Sequence, residues 1–151
     1  MSLLDLVRPD VRALTGYSSA RMEAGKSGVL LNANESPWPQ ESSRAMHRYP
    51  EPQPRELRTR LAELYGVEPE QLLVGRGSDE AIDLLTRAFC RAGRDAILIQ
   101  SPTFGMYAVA AAVQDALVQD AQLSLDSAEP FDVDAVLLAV TPTTRIVFVC
   151  S

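Results

Sequence analysis

At 151 residues, 46% hydrophobic and 23% charged, the chain has the size and composition of one ordinary packed domain, which excludes wholesale disorder. Its 14 basic residues are scattered among 20 acidic ones, for a net charge of -6, and this excludes nucleic acid as the main partner, because phosphate backbones select clustered Lys and Arg. No apolar run approaches the roughly 20 residues of a membrane helix, and the N-terminus carries Asp5 and Asp10 without the basic and apolar segments of a signal peptide, so a soluble cytoplasmic protein with no membrane partner is expected.

Leu3, Leu4, Leu6, Val7, Val11 and Leu14 recur at partly helical spacing broken by Pro9, which predicts a short interrupted helix or arm. Residues 18–28 are polar and contain glycine, the mark of a loop. Val29 to Leu31 starts a short strand that dissolves into the Pro-punctuated "NANESPWP". Pro50, Pro52 and Pro54 keep the next stretch extended. Pro54 then suits the first turn of a helix reaching about Leu64, with Leu57, Leu61 and Leu64 on one face and Gly66 as its stop.

Beyond that point strands and helices alternate. "QLLVG" reads as a strand and "SDEAIDLLTRAFCRAG" as a helix closed by Gly93. "DAILIQ", "ALVQDAQL" and "TRIVFVCS" read as further strands, separated by the helices "TFGMYAVAAAV" and "DVDAVLLAV". The alternation predicts βαβ crossovers and an α/β fold: three layers, α/β/α, around a mainly parallel sheet. The continuously apolar strands suit a sheet covered on both faces. In such sheets ligands bind beyond the carboxyl ends of the strands. The given sequence stops at Ser151, at such an end, so a loop that would line the site is expected to be missing.

The turn "VGRGSDE" at residues 74–80 has two readings. A Gly-rich turn into a helix N-terminus suits a phosphate, since the first N–H groups lack internal partners and the helix dipole favours an anion. Gly75 and Gly77 allow a tight bend, and Ser78 adds a hydroxyl. Alternatively Ser78, Asp79 and Glu80 simply cap the helix and complement its dipole. On spacing alone capping accounts for more of the pattern. The nucleotide fingerprints fail: GxxxxGK[ST] is absent, and Glu80 stands where the third glycine of GxGxxG belongs.

Other single residues read as structural. Cys90 and Cys150 fall in apolar segments without metal-type spacing, as buried free thiols would. His47, the one histidine, has no spacing for a metal or a triad and reads as a surface or interface residue. Asp83 and Arg87 form an exposed i, i+4 pair, Arg76 a solvent-exposed side chain, and Ser101 a strand exit with no base to make it a nucleophile.

Four segments, "LNANESP", "RYPEPQP", "PEQLLVGRGSDEAIDLLTRAF" and "SPTFGMYAVAA", occur in an order and at spacings that resemble the N-terminal part of the histidinol-phosphate aminotransferase family. These are fold type I, pyridoxal 5'-phosphate (PLP) dependent enzymes of histidine biosynthesis. The resemblance covers nearly the whole chain. It implies an aspartate aminotransferase-like large domain, incomplete here, plus an N-terminal arm. Residues 1–45 would form the arm and part of a small domain, and residues 46–151 the first half of the PLP-binding large domain.

The implied activity is transfer of an amino group from L-histidinol phosphate to 2-oxoglutarate, giving imidazole acetol phosphate and glutamate. Gly77, Ser78 and Asp79 match the turn whose N–H groups hold the PLP phosphate. Phe104 matches the aromatic that stacks on the pyridine ring, although many relatives carry Tyr there. Tyr49 matches the tyrosine that crosses to the neighbouring subunit's PLP phosphate, which implies a homodimer. Tyr17 resembles an arm tyrosine near the substrate, and Asn32, Asn34 and Glu35 match a motif on the substrate side.

The same resemblance places the Schiff-base lysine, the carboxylate on the ring nitrogen and the substrate-binding arginine beyond these residues. The single lysine, Lys26, lies in a polar loop and is no replacement. The 151-residue chain alone is therefore expected to be inactive. Three alternatives stand beside this reading: a related PLP enzyme such as threonine-phosphate decarboxylase, a non-enzymatic truncated remnant, and a small nucleotide-binding domain.

Overall fold

The structure, a computed structural model, describes residues 2–18, 29, 31, 33–39, 47–123 and 131–150. It divides into two compact units, Met1–Leu14 with Gly75–Ser151, and Thr15–Val74. The described helices are α1 (Pro9–Arg12), α2 (Arg55–Tyr65), α3 (Ser78–Phe89), α4 (Met106–Gln114) and α5 (Val133–Ala139). The strands are β1 (Ala96–Ile99), β2 (Leu117–Asp120) and β3 (Thr144–Val147), and single 3-10 turns occupy Leu3–Leu6 and Pro69–Gln71.

In the first unit β1 is central. The sheet order is β2-β1-β3 and both pairings are parallel. The predicted α/β architecture with a parallel sheet is what the chain adopts. All four residues of β1 are buried, as its unbroken apolar run requires. The chain moves from β1 to β2 on one side, then back across β1 to β3. With right-handed crossovers this reversal puts α4 and α5 on opposite faces. Ile97 and Ile99 share one face and pack with Cys90, Ala111 and Ala116, flanked by Tyr107, Ile146 and Phe148.

Local chemistry explains the helix limits. α3 buries Ile82 and Thr86, and the Thr86 hydroxyl donates back to the Ile82 carbonyl at 2.8 Å. α4 stops at Asp115, which turns left-handed with φ 55°. Asp132 caps α5 by accepting from the Ala135 amide at 2.9 Å. Pro9 starts α1 at a first-turn position, so the predicted break separates a 3-10 turn from a helix.

In the second unit α2 ends as expected at Gly66, left-handed with φ 64°. Its predicted apolar face is only partly covered: Leu61 is half-buried, Leu57 and Leu64 are exposed, and the buried residue of the helix is Ala62. The "QLLVG" strand is not formed. Residues 72–75 have no strand beside them among the described residues, and the Gln53 side chain takes both backbone groups of Val74, at 2.8 and 2.9 Å. Val29 and Leu31 carry no regular structure, and residue 30 lies outside the described residues, as do residues 19–28 of the predicted loop.

Two further expectations change. α3 ends at Phe89 rather than at Gly93, because Cys90 is already extended and Gly93 serves the following turn, donating to the Asp115 carbonyl. Cys90 is buried as expected, but Cys150, past the end of β3, is exposed among the described residues.

Candidate functional site

α3 begins on an unusual residue. Its N-cap is Gly77 with φ 101° and ψ -179°, a conformation open essentially to glycine alone. Ser78, Asp79 and Glu80 fill the first three helical positions, so none of them sits at the cap. The capping reading thereby loses its side chain, and the first-turn amides keep their ordinary need for an acceptor. Glu80 turns away from them. Its carboxylate accepts from the Arg76 amide at 2.7 Å and from the Arg76 guanidinium at 3.1 and 3.3 Å. The Arg76 amide, then the guanidinium, hold the Glu80 carboxyl below its usual range. Among the described residues a Cβ built on Gly77 would meet nothing within 4 Å, so it is the backbone conformation and not crowding that calls for glycine there.

α3 and α4 end together: the Gln114 side chain donates to the Cys90 carbonyl at 3.0 Å, and the Gly93 amide donates to the Asp115 carbonyl at 2.6 Å. The two helices pack along each other, so their N-termini open on one side. Gly77 stands at one opening and Phe104 just before the other. Phe104 is 44% exposed and meets Tyr107 edge-on at 5.7 Å. Tyr107 in turn stacks on Phe148 at 4.4 Å, with the rings 8° from parallel. Burial, then the Cys150 thiol beside it, pushes the Tyr107 hydroxyl up.

Beneath Phe104 the exit of β1 is tied down. The buried Gln100 amide donates to the carbonyls of Ala121 and Asp132 and accepts from the Asp132 amide at 2.8 Å. Ser101, read as a plain strand exit, donates from its amide and its hydroxyl to the Asp120 carboxylate. Sequence reasoning did not single out Gln100, Tyr107 or Phe148. Only Tyr107 carried a local signal, its i, i+3 spacing from Phe104.

The remaining predicted site residues belong to the second unit. Glu35 accepts from the Tyr49 amide at 2.7 Å and from Arg48 Nη1 at 2.8 Å, so two of the predicted residues come together. Asn34 is left-handed with φ 51° and exposed. Tyr17 and Tyr49 are both exposed. Asn32 and Lys26 lie outside the described residues. His47 is half-buried, with no partner for Nδ1 among the described residues. The Asp83–Arg87 pair forms at 2.8 Å. No group of three or more metal-type ligands occurs among the described residues.

Residues 20–151 match the family described as aminotransferase class I and II. This chain belongs to that family. Histidinol-phosphate aminotransferases of Xanthomonas euvesicatoria pv. vesicatoria and of Xylella fastidiosa are each 53% identical to it over 155 residues, 99% of this chain and 42% of theirs. That of Stenotrophomonas maltophilia is 52% identical over 153 residues with the same coverage. The chain thus spans less than half the length of these curated relatives. Among solved structures, N-succinyldiaminopimelate aminotransferase from Mycobacterium tuberculosis matches with TM-score 0.58 and 30% identity, across 66% of this aminotransferase-family chain and 28% of its own.

Proposed function

We propose that this chain forms the phosphate-holding and ring-stacking part of a PLP-dependent aminotransferase that acts on L-histidinol phosphate and 2-oxoglutarate in histidine biosynthesis. The observation that carries the reading is the identity of about half the residues, over 99% of the chain, with proteins named for that substrate.

The residues present fit the phosphate end of PLP. A glycine N-cap at φ 101° and a first turn with no side-chain cap among the described residues suit an anion. The amides of Gly77, Ser78 and Asp79 would donate to the phosphate, with the Ser78 hydroxyl beside them. Phe104 would lie flat on the ring and keep water from it. Bound there, PLP supplies an electron sink for the substrate carbon that loses its proton. The chain's own part is to bind, orient and exclude solvent.

In this reading Tyr49 reaches the phosphate of a neighbouring subunit, so the protein is a cytoplasmic homodimer. Tyr17, Asn32 and Asn34 lie toward the substrate, while the Glu35 carboxylate of the same segment is turned to Arg48 and the Tyr49 amide. Residues 1–45 belong to the arm and small domain, and residues 46–151 to the large domain. Lys26, the only lysine, has no catalytic role, and the 151 residues by themselves do not transaminate.

The test is glutamate formation by the protein purified from its native source, supplied with PLP, L-histidinol phosphate and 2-oxoglutarate. Turnover with that donor supports the assignment. Turnover restricted to another amino donor, or decarboxylation of threonine phosphate, overturns it. Turnover by the isolated 151 residues would sink the claim that they are inactive alone.

A further inference from the structure

Within residues 15–74 one carboxylate joins two loops. Glu35 Oε1 accepts from the Tyr49 amide at 2.7 Å, and Glu35 Oε2 accepts from Arg48 Nη1 at 2.8 Å, across 14 and 13 residues of chain. The Glu35 side chain is only 2% exposed, whereas Tyr49 is 63% exposed. The carboxyl is therefore covered and committed to the polypeptide, while the residue whose amide it holds is largely exposed. Tyr49 lies in no helix or strand, and Pro50 follows it, so no ladder of backbone bonds fixes its position. A carboxylate that accepts from an amide and a guanidinium is among the stronger hydrogen-bonded anchors. Asn34, left-handed at φ 51°, makes the turn immediately before it, a conformation Asn tolerates.

We infer that Glu35 is a positioning residue rather than a substrate contact: it fixes the Tyr49 backbone and so sets where Tyr49 presents its hydroxyl to the cofactor phosphate. The inference rests on the role proposed above for Tyr49. Arg48 completes the clamp by balancing the charge of Glu35.

The experiment uses the intact holoenzyme with Glu35→Ala, Glu35→Gln, Tyr49→Phe and the Glu35→Ala/Tyr49→Phe pair. Three quantities are read: hydrogen exchange in peptides spanning Tyr49, affinity for PLP against pyridoxal without its phosphate, and KM for the amino donor at saturating PLP. Glu35→Ala should speed exchange at Tyr49, weaken PLP about tenfold and leave pyridoxal affinity and KM unchanged. It should add little to Tyr49→Phe, because both remove the same contact. Glu35→Gln keeps an oxygen for the Tyr49 amide and should retain most of the protection. A raised KM with unchanged PLP affinity would make Glu35 a substrate contact and overturn the inference. Fully additive losses in the double variant would overturn it too. If Tyr49→Phe alone leaves PLP affinity unchanged while Glu35→Ala still exposes the Tyr49 amide, the clamp is real but the reading of Tyr49 has failed, and the positioning role falls with it.

Discussion

Arg145 Nε lies 3.1 Å from Asp95 Oδ1, and this pair ties β3 to the turn that enters β1. The contact depends on a fault in the sheet. Ala96 pairs with Thr144, but Ile97 pairs with Ile146, so Arg145 is the extra residue of a bulge. Its guanidinium is thereby aimed at Asp95, which is 1% exposed and also holds Arg91 at 2.8 Å. Burial pushes the Asp95 carboxyl up, but the hydrogen bonds from Arg91 and Arg145 outweigh it and hold the group well below the usual carboxylate range.

Removing the carboxylate leaves two guanidinium groups without their partner. Asp95→Ala should cost about 3 kcal/mol in urea unfolding of the protein, the scale of a broken buried ion pair. The acid limb provides a second check. A depressed carboxyl stabilises fully above its ordinary 3.8 and loses that contribution as pH falls below it. Between about pH 5 and about pH 2 the parent protein should therefore lose more stability than Asp95→Asn.

The turn before α3 separates two glycines that look alike in sequence. Gly77→Ala forces an L side chain into φ 101° and should cost about 1–3 kcal/mol, with a loss of PLP affinity that pyridoxal does not share. Gly75→Ala meets only the flexible end of Glu80, 2.9 Å away, and should be milder in both assays. Equal effects at the two positions would contradict the cradle assigned to Gly77.

The two thiols should behave differently. Burial, then the Asp95 charge, pushes Cys90 up to about 11, while Cys150 is exposed. An alkylating reagent at about pH 8.5 should label Cys150 and spare Cys90 in the folded protein. A raised thiol pKa stabilises fully below the unfolded value of 9.0 and is lost as pH climbs through 11, so stability should fall across that interval and fall less in Cys90→Ala.

Phe104 presents a ring whose support is another ring. Phe104→Ala should weaken PLP about tenfold, and Phe104→Tyr should retain the affinity. Tyr107→Leu, which removes the edge contact at 5.7 Å, should produce a smaller loss by letting Phe104 move. Cofactor titration by absorbance decides between these outcomes. No change in Phe104→Ala would remove the stacking role.

Much of the large-scale order was legible in the residues. The apolar strands, the helices between them and their parallel sense follow from local periodicity and from the rule that crossovers link parallel strands. The Gly-rich turn at the head of α3 was legible too, because a backbone that needs positive φ selects glycine wherever it occurs. "QLLVG" misled for the same local reason: Leu72, Leu73 and Val74 carry strand propensity, but a strand exists only beside a partner, and Gln53 took its place at Val74.

The sequence by itself determined the α/β class, the helix stops at Gly66 and the turn at Gly77, all of which depend on neighbours a few residues apart. Only the tertiary structure decided that Glu35 grips Tyr49, that a bulge aims Arg145 at Asp95, that Phe104, Tyr107 and Phe148 form one aromatic row, and that Cys150 is exposed. Each of these joins or separates residues distant in the chain or on different elements. Their meeting depends on strand register, loop path and layer cover, which local propensity does not encode.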